Sequence, residues 1–466
     1  MKKLKITAKE LRELGYPSSP VIPVAMEVMM RNYKHLPSEE ARAILLNVLE
    51  KPEDYYEDDC LCKIAEKLKP QPAILPNHVA LLEKGIPFSV FGREYIEEQA
   101  MNQMYQASKL PIAIAGSLMP DAHAGYGLPI GGVLATKNEV IPYGVGVDIG
   151  CRMCLSIYDL PAKELHSNDK YYAKILHENT LFGSGREFAN LYEHEVMEHK
   201  NFKATSLLKS LQGKAGKQLG TSGSGNHFVE FGSVIIESSE NELNLAPGAY
   251  VALLSHSGSR GMGASIAQHY TSLAKQKVKL PGEAQNLAWL SLDDEAGMEY
   301  WIAMNLAGEY ASACHDVIHE KVSKALHKKA LAIVENHHNF AWKEWWNGEE
   351  VIVHRKGATP AGKGVLGIIP GSMTTPGYIV SGNGIIESLN SASHGAGRTM
   401  SRTKAKNSIT HTELKKVLKD AGVTLIGGGL DEAPHAYKDI RTVMKSQTAL
   451  VNVVGAFQPK IVKMDE

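Results

Sequence analysis

The sequence has few cysteines for its length. Five thiols are spread over 466 residues, at Cys60, Cys62, Cys151, Cys154 and Cys314. An odd and sparse set does not form the disulfide framework of a small secreted protein. It suits a reducing compartment, and a chain of this length can bury a stable core without cross-links.

Long hydrophobic runs are also missing. No stretch approaches the roughly 18 uninterrupted apolar residues that a membrane helix needs. The basic N-terminus, MKKLKITAKELRELG, is repeatedly interrupted by charges and lacks the apolar segment of a signal peptide. These absences predict a cytoplasmic protein with no membrane partner.

The chain has almost no net charge and no Walker-type phosphate loop. Fifty Lys and Arg against 51 Asp and Glu leave a net charge of -1. This balance neither supports nor excludes nucleic-acid binding, because a local basic face is enough to bind phosphates. The absence of a G-x-x-x-x-G-K-[ST] motif excludes a P-loop NTPase.

Helical patterns dominate the first 70 or so residues. Thr7 and Glu10 have the spacing of a capping box, and Ser38 is a candidate N-cap for a later helix. One apolar face of that helix would hold Ala41, Ile44, Leu45, Val48 and Leu49. The turn-rich sequence KPQPAILPN, from Lys69 to Asn77, predicts a soft domain boundary near residue 75.

After about Gly92, short apolar runs alternate with glycine-rich turns. They are IAIAGS, GLPIGGVLAT, VIPYGVGVDIGC, YVALLSHSGSRG, KGVLGIIPGSM and GYIVSGNG, and they predict strands that end in functional loops. Helical patterns cover residues 93–108, 264–277 and 293–329. Strands and helices without regular alternation predict the α+β class, with mixed β-sheets flanked by helices in one large domain.

Histidine recurs in unusual settings. His227 lies in GSGNHF, His256 in LLSHSGSRG, His337 and His338 in ENHHNF, and His394 in SASHGAGR. Three of these settings place histidine beside Gly and Ser, whose small side chains let backbone N–H groups approach a phosphate. One such histidine is more often a hydrogen-bonded polar residue than a ligand, but several together indicate a site.

The stretch Asp148-Ile-Gly-Cys151 adds a carboxylate and a thiol to the imidazoles. Such a donor set suits Mn, Zn or Fe, and two metal ions about 4 Å apart can clamp a phosphoryl transfer. Cys151 and Cys154 also form a C-x-x-C motif, which has redox and zinc-ribbon interpretations. The redox interpretation needs a thioredoxin-like context that is not evident, and Cys60-x-Cys62 is too tight for the second pair of a ribbon.

The order of the motifs resembles the RtcB family of RNA ligases. The matching runs are MPDAHAGYGLPIGGVLAT, VIPYGVGVDIGC, QLGTSGSGNHFVE, LLSHSGSRG, HHNFA, VHRKGAT, IIPGSM and SHGAGR. The resemblance covers roughly residue 90 to the C-terminus. It implies a helical N-terminal extension at residues 1–80 and an RtcB-like catalytic domain at residues 81–466.

The resemblance implies a site with two Mn²⁺ ions bridged by the Cys151 thiolate. Asp148 and His227 would complete one metal's protein ligands, and His256 and His338 the other's. In the HHN sequence the histidine directly before Asn matches the family's ligand, so His338 is chosen over His337. His394 matches the nucleophile that takes GMP, and Asp121 matches a residue of the reaction centre.

The resemblance also implies contacts with GTP and RNA. The implied GTP contacts are Asn226, His227, Phe228, Val229, Glu230, His338, Asn339, Pro370, Gly371, Ser372, Met373, Gly377, His394, Gly395, Ala396, Gly397 and Lys463. The predicted RNA contacts are Arg398, Arg402, Lys404 and Lys406, in a basic run that taken alone is more typical of a solvated helix face.

Three residues depart from the family pattern. Arg152 stands where a small Gly is usual, and Thr374 and Gly377 stand where the loop usually has Gly and Ser. Losing that Ser removes one nucleotide contact. The metal ligands are intact, so we expect the chemistry to survive these changes.

The implied reaction joins an RNA 2′,3′-cyclic phosphate or 3′-phosphate end to a 5′-hydroxyl end, through GMP on histidine and then on the 3′-phosphate. It would serve RNA splicing or RNA repair, with room for an accessory activator protein. One alternative is a two-metal RNA phosphodiesterase or end-healing phosphatase without ligation. A second is a non-enzymatic RNA-binding protein that uses metal structurally.

Overall fold

The computed structural model describes residues 6–17, 21–69 and 76–465. It divides the chain into two compact units, Met1–Leu75 and Pro76–Glu466. The predicted turn-rich boundary segment, residues 69–77, lies mostly outside the described residues.

The described part of the first unit is helical. Its α-helices are α1 (Ala8–Glu13), α2 (Val21–Asn32), α3 (Ser38–Glu50) and α4 (Cys62–Leu68), with a 3₁₀ turn at Pro52–Tyr55. The capping box is confirmed, since Thr7 and Glu10 exchange side-chain and backbone hydrogen bonds at the start of α1. Each bond satisfies an N–H group that has no partner within the helix.

The prediction of Ser38 as an N-cap is wrong. Pro37 occupies the cap position without a side-chain hydrogen bond, and Ser38 is the first helical residue. Proline has no N–H and a fixed φ, so it suits the entry to a helix and moves the boundary by one residue. The predicted apolar face is confirmed, because Ala41, Leu45 and Val48 are fully buried in the core of this unit.

The second unit combines helices and strands. Its helices are α5 (Glu98–Ser108), α6 (Pro142–Val145), α7 (Glu164–Ser167), α8 (Asp169–Asn179), α9 (Ser206–Gln218), α10 (Arg260–Lys277), α11 (Glu295–Leu326), α12 (Arg402–Ser408), α13 (His411–Ala421) and α14 (Ile440–Lys445). Its first strands are β1 (Asn77–His78), β2 (Ser89–Val90), β3 (Ala113–His123), β4 (Ile130–Thr136), β5 (Glu139–Val140), β6 (Arg152–Pro161), β7 (Phe228–Ile236), β8 (Gly248–Ser257), β9 (Val278–Lys279) and β10 (Leu290–Ser291). The later strands are β11 (Ala330–His337), β12 (Asn339–Trp346), β13 (Glu349–Lys356), β14 (Ala358–Pro360), β15 (Leu366–Ile369), β16 (Gly377–Gly382), β17 (Ser391–Ser393), β18 (Thr424–Ile426) and β19 (Val451–Met464).

A large mixed sheet forms the centre of this unit. Its strands follow the order β11-β6-β8-β7-β19-β16-β15, with β18 paired to β19 in parallel. The long helix α11 packs on one face of this sheet, where Ile318 and Val322 join Tyr158, Val251 and Leu253 in a buried cluster. Burial of such side chains is the main stabilising contribution to the sheet–helix packing.

A smaller, five-stranded sheet is built from strands that are interleaved along the chain with those of the large sheet. Its order is β12-β13-β4-β3-β2, and α5 buries Met104 and Ala107 in the same core as Leu118 and Leu134 of this sheet. The predicted strands are present, except that VIPYGVGVDIGC contains the short helix α6 instead of one strand. Pro142 at the first turn of α6 favours helix initiation over strand continuation.

The described residues confirm the α+β class, since sheets of mixed direction are flanked by helices. Among these residues we find no helix with both the length and the apolar character required to cross a membrane.

Candidate metal centre and nucleotide cavity

One edge of the large sheet gathers the predicted metal ligands. At this edge β11 and β8 end while their antiparallel neighbours β6 and β7 begin, as the pairs His337↔Arg152 and Phe228↔His256 show. Residues that lie just outside or at these strand ends must therefore meet in space. The chain places Cys151, His227, His256 and His338 at these ends.

Cys151 lies at the centre of the group. Its Sγ is 3.4 Å from Nε2 of His227 and 3.1 Å from Nε2 of His256. Asp148 Oδ2 is 2.9 Å from His227 Nε2 on one side. His338 Nε2 is 3.3 Å from His256 Nε2 on the other. The Cys151 thiol therefore has candidate metal ligands on two sides, Asp148 and His227 on one and His256 and His338 on the other.

The ionisation of these side chains favours metal binding. Burial lowers the pKa of His256 to about 3, with His227 adding to the shift, so its imidazole is neutral near pH 7. Burial alone would raise the pKa of Asp148, but the neighbouring His227 and Arg260 hold it below its usual range. Burial, together with Asp148, raises the pKa of the Cys151 thiol well above its usual range. The raised pKa favours the neutral thiol. A bound metal ion would reverse this and favour the thiolate, because it deprotonates a coordinating thiol.

The residues present fit a metal centre. A carboxylate, a thiol and three imidazoles form a donor set that suits Mn, Zn or Fe. His338 Nδ1 is buried and lacks a hydrogen-bond partner among the described residues. A buried polar atom without a partner is costly in free energy unless a ligand satisfies it.

His394 follows the short strand β17 and is oriented by Asp121. The Asp121 side chain is fully buried, and its Oδ2 accepts the Nδ1–H of His394 at 2.6 Å and the His394 backbone N–H at 3.1 Å. Burial would raise the Asp121 pKa, yet His394 holds it below its usual value, so the carboxylate is ionised. The His394 ring lies 5.0 Å, centroid to centroid, from that of His338.

Gly397 allows this close approach. It has φ +74°, and a Cβ at this position would stand 2.1 Å from the Asp121 carbonyl oxygen. Only glycine avoids both the strained backbone and the clash. The SHGAGR motif therefore holds His394 against Asp121 through its backbone as well as its side chain.

A cavity of about 320 Å³ opens beside His394 and the metal ligands. Among the predicted GTP contacts, those that line it are Asn226, Phe228, Glu230, His338, Pro370, Gly371, Ser372, Met373, Gly377, His394, Gly395, Ala396 and Gly397. His256 and the predicted RNA contacts Arg398 and Arg402 also line it. The volume is at the lower end of the range for small-molecule sites.

Four predicted GTP contacts do not line the cavity. His227 lies in the group around Cys151, and the other three are Val229, Asn339 and Lys463. Val229 alternates with Phe228 and Glu230 on β7, so it points into the hydrophobic core while they line the cavity. Asn339 bonds the Asp148 carbonyl and the Gly357 N–H.

Lys463 donates from Nζ to the carbonyls of Leu176, His177 and Thr180 at the end of α8. These bonds complement the negative end of the helix.

The predicted RNA contacts differ from one another in their surroundings. Arg398 is largely buried and pairs with Glu432 at 3.4 Å, while Arg402 pairs with Asp431 at 3.0 Å and also with Glu432. Lys406 lies 3.7 Å from Asp431 and is mostly exposed. Lys404 is exposed on α12.

Several cavity residues were not predicted. His123 belongs to the same PDAH motif as Asp121, so that motif could have indicated it. Glu432 and Tyr437 also line the cavity and share a hydrogen bond. They lie far along the chain, in LDEAPHAYK, where nothing in the local pattern marks them.

The departures from the family pattern have local explanations in part. The Arg152 guanidinium is buried, pairs with Glu335 and bonds the Gly308 carbonyl and His337 Nδ1. His337 thus bonds Arg152 and packs against Phe340, and it is not in the group around Cys151.

In the 370–377 loop, the Ser372 hydroxyl is 2.9 Å from that of Thr375, a cavity residue that was not predicted. Thr374 makes no contact that explains its presence.

The family model for the tRNA-splicing ligase RtcB matches residues 103–201 and 170–465. The chain belongs to the RtcB family. It is 34% identical over 419 residues to the RNA-splicing ligase RtcB of Escherichia coli K12, covering 81% of this chain and 94% of that protein. It is 31% identical over 436 residues to the tRNA-splicing ligase RtcB of Nanoarchaeum equitans, covering 78% and 91%.

A third RtcB relative is the tRNA-splicing ligase RtcB of Thermococcus kodakarensis. It is 30% identical over 452 residues, covering 79% of this chain and 93% of that protein. The RtcB match begins after the first unit, so it concerns the unit that contains the metal ligands and the cavity.

Proposed function

We propose that this chain is an RNA ligase that joins a 2′,3′-cyclic phosphate or 3′-phosphate end to a 5′-hydroxyl end, using GTP. The observation that carries the proposal is His394, oriented by the buried Asp121 at the wall of a cavity that also contains the metal ligand candidates His256 and His338. The names of its relatives, which are RNA-splicing or tRNA-splicing ligases, support the reaction class.

Two Mn²⁺ ions would be held by Asp148, Cys151, His227, His256 and His338. When bound, they would neutralise charge on reacting phosphoryl oxygens. The protein's part is to present the neutral imidazoles of His256 and His338 and an ionised Asp148 in a buried pocket. Such preorganised groups need little rearrangement during the reaction.

His394 would act as the nucleophile. Asp121 accepts the Nδ1–H, so the lone pair of the ring resides on Nε2. Attack by Nε2 on the α-phosphorus of GTP forms an N–P bond and breaks the bond to pyrophosphate. Covalent catalysis of this kind divides one difficult condensation into easier steps.

Two further transfers complete the reaction. Water opens a cyclic phosphate end to a 3′-phosphate, and an oxygen of that phosphate takes GMP from the histidine. The 5′-hydroxyl of the second strand then attacks the activated phosphate, which forms the phosphodiester and releases GMP. Splicing and repair would both use this sequence.

The nucleotide would occupy the cavity beside His394. Burial raises the pKa of Glu230 well above its usual value, so its protonated carboxyl can donate as well as accept a hydrogen bond to a guanine. The Gly395-Ala396-Gly397 loop and the 370–373 loop offer backbone groups to phosphates. For Lys463 to reach GTP, its ammonium would have to leave the carbonyls at the end of α8.

In this proposal residues 81–466 form the catalytic domain and residues 1–80 are an extension without a catalytic role. The support is that all the proposed ligands and the nucleophile belong to the second compact unit.

The choice of RNA ends tests the proposal. Purified protein with GTP and Mn²⁺ should join labelled RNA with a 2′,3′-cyclic phosphate or 3′-phosphate to a 5′-hydroxyl strand. A matched pair of strands ending in 3′-hydroxyl and 5′-phosphate should stay separate. The His394→Ala protein, with its metal ligands retained, is the control for contaminating ligase.

Two outcomes would contradict this function. Joining of the 3′-hydroxyl and 5′-phosphate pair would indicate a ligase of the opposite polarity. Removal of the terminal phosphate without any joining, and without a need for GTP, would favour the two-metal phosphodiesterase or phosphatase.

A further inference from the structure

A second group of potential metal ligands lies behind the proposed metal centre. Cys154, His315 and His319 are all buried, and one ligand atom of each lies within 4.8 Å of the others. The two histidines are one helical turn apart on α11, and Cys154 is on β6, against which that helix packs. Residues four apart on a helix share one face, so both rings can reach the same point.

A serine hydroxyl stands at the point where the two rings meet. Ser255 Oγ is 2.6 Å from Nδ1 of His315 and 2.7 Å from Nε2 of His319. Ser255 is also the direct cross-strand partner of Cys154 in the β6–β8 ladder, so their side chains lie on the same face of the sheet. A thiol, two imidazole nitrogens and a hydroxyl therefore surround one small volume.

In each ring, the outer nitrogen, which is the one that does not face Ser255, has an oxygen partner of its own. His315 Nε2 lies 3.3 Å from the carbonyl oxygen of Ser257, which can only accept a hydrogen bond, so this nitrogen carries the proton. His319 Nδ1 lies 2.7 Å from Ser156 Oγ. Metal-binding histidines typically donate their second N–H to an oxygen in this way, which fixes the tautomer and orients the ring.

A hydroxyl has one proton, so it cannot donate to two bare imidazole nitrogens at once. If His319, like His315, carries its proton on the outer nitrogen and donates it to Ser156 Oγ, one inner nitrogen is unsatisfied in a fully buried site. A cation between the four donors removes this conflict. The competing arrangement is a chain of hydrogen bonds in which His319 takes the other tautomer and donates to Ser255.

The chemistry of the donors selects the ion. A thiolate with two imidazoles favours zinc over the harder Mg²⁺ and Ca²⁺. Zinc bonds of about 2.0–2.3 Å place tetrahedral ligand atoms roughly 3.3–3.8 Å apart. The present atoms need only shift by about 1 Å to reach such spacing. The positive charge of Arg152, which lies near these donors, is compensated by an ion pair with Glu335, so it opposes a bound cation less.

We propose that Cys154, His315, His319 and Ser255 form a second, closed zinc site that is separate from the ligands around Cys151. All four donors come from the protein and are buried, as in closed structural zinc sites, with the Ser255 hydroxyl in the place of a fourth Cys or His. The site would join α11 to β6 and β8 next to the segments that bear Cys151 and His256. Its role would be to brace the proposed reaction centre without contacting substrate.

The test uses Co²⁺ as a spectroscopic substitute for zinc in the full-length chain. The Cys151→Ala protein leaves Cys154 as the buried thiol of a histidine cluster. After loading and desalting, it should retain a tightly bound Co²⁺ with a thiolate-to-cobalt charge-transfer band. Adding Cys154→Ser should remove that band, and adding His319→Gln should weaken Co²⁺ binding by at least about 10-fold.

The matched control is Cys314→Ser in the same Cys151→Ala background. Cys314 is as buried as Cys154 and lies on α11 beside His315, but it is outside both ligand groups, so the band should persist. Circular dichroism of each variant verifies folding.

The decisive measurement needs no change within the cluster. If folded Cys151→Ala protein shows no thiolate–cobalt band, the zinc site does not exist and the serine–histidine chain is purely hydrogen-bonded. If Cys151→Ala does not fold, metal analysis of the Co²⁺-loaded wild type decides. Wild type that holds about one Co²⁺ ion more per chain than Cys154→Ser supports the proposal, and equal ion counts in the two proteins overturn it. None of these measurements depends on ligation.

Discussion

At the residue scale, the two cysteines of the C-x-x-C motif belong to different groups. Cys151 lies among His227 and His256, whereas Cys154, three residues later, lies among His315 and His319. The motif is therefore neither a redox pair nor half of a zinc ribbon in this fold. Its two thiols lie in separate groups, since Cys151 comes just before β6 and Cys154 lies within that strand.

Replacing Cys151 should abolish ligation. Cys151→Ala removes the thiolate that both proposed metal ions share, so we expect activity to fall by at least about 100-fold even at saturating Mn²⁺. Cys154→Ala should keep most of its activity at temperatures well below its unfolding transition, since Cys154 is not among the residues that line the cavity. Strand-joining assays on both variants provide the measurement. A dispensable Cys151 beside an essential Cys154 would reverse the assignment.

Lys356 provides a pH-dependent prediction. Its side chain is buried on β13, and burial lowers its pKa to about 7. Nζ donates to the Tyr126 carbonyl at 2.6 Å. The unfolded chain holds its proton up to about pH 10. Between these values the folded state binds fewer protons, so folding becomes more favourable as pH rises.

Denaturant unfolding of wild type and Lys356→Met tests this directly. The stability of the wild type relative to the variant should rise by up to about 1.4 kcal/mol per pH unit between about pH 7 and 10. Parallel pH profiles for the two proteins would mean that Lys356 is charged in the fold.

At the scale of elements, the basic residues on and just before α12 differ in how available they are to contact RNA. Arg398 and Arg402 are already paired with carboxylates at the cavity wall, whereas Lys404 is exposed and Lys406 mostly so. The lysines are therefore the more available phosphate ligands. The arginines would have to exchange Asp431 or Glu432 for phosphate.

Neutralising the two lysines should flatten the salt dependence of RNA binding. For Lys404→Gln with Lys406→Gln, we expect the slope of log affinity against log salt to fall by about 1.4, or roughly 0.7 per lost phosphate contact. Lys415→Gln with Lys416→Gln on α13 is the matched control. An unchanged slope in the α12 variant would return this segment to a solvated helix face.

The sequence predicts the helices and strands better than it predicts which residues from different elements come together in the fold. The periodicity of α3 and the glycine-rich strand ends was readable, because each depends on neighbouring residues. The boundary at Ser38 was missed by one residue, since Pro37 competes for the cap. Glu432 and Tyr437 were missed because only the tertiary fold brings them to the cavity. Val229 was grouped with its neighbours, although strand alternation turns it to the core.

At the scale of the whole molecule, the match to the RtcB family and the candidate reaction centre lie in the same unit, Pro76–Glu466. The edge of the large sheet supplies a metal-ligand cluster, and the smaller sheet supplies Asp121 on β3. His394 follows β17 and meets Asp121 from a distant part of the chain. The proposed reaction centre thus needs both sheets, which explains why its residues span some 270 positions.

The most direct test of the account is covalent labelling of His394. Wild-type protein incubated with α-labelled GTP and Mn²⁺ should retain label through denaturing electrophoresis, in an acid-labile and alkali-stable phosphoramidate. His394→Ala should retain none while it still binds Mn²⁺. Label that persists in the His394→Ala protein would assign the nucleophile to another residue and contradict the account.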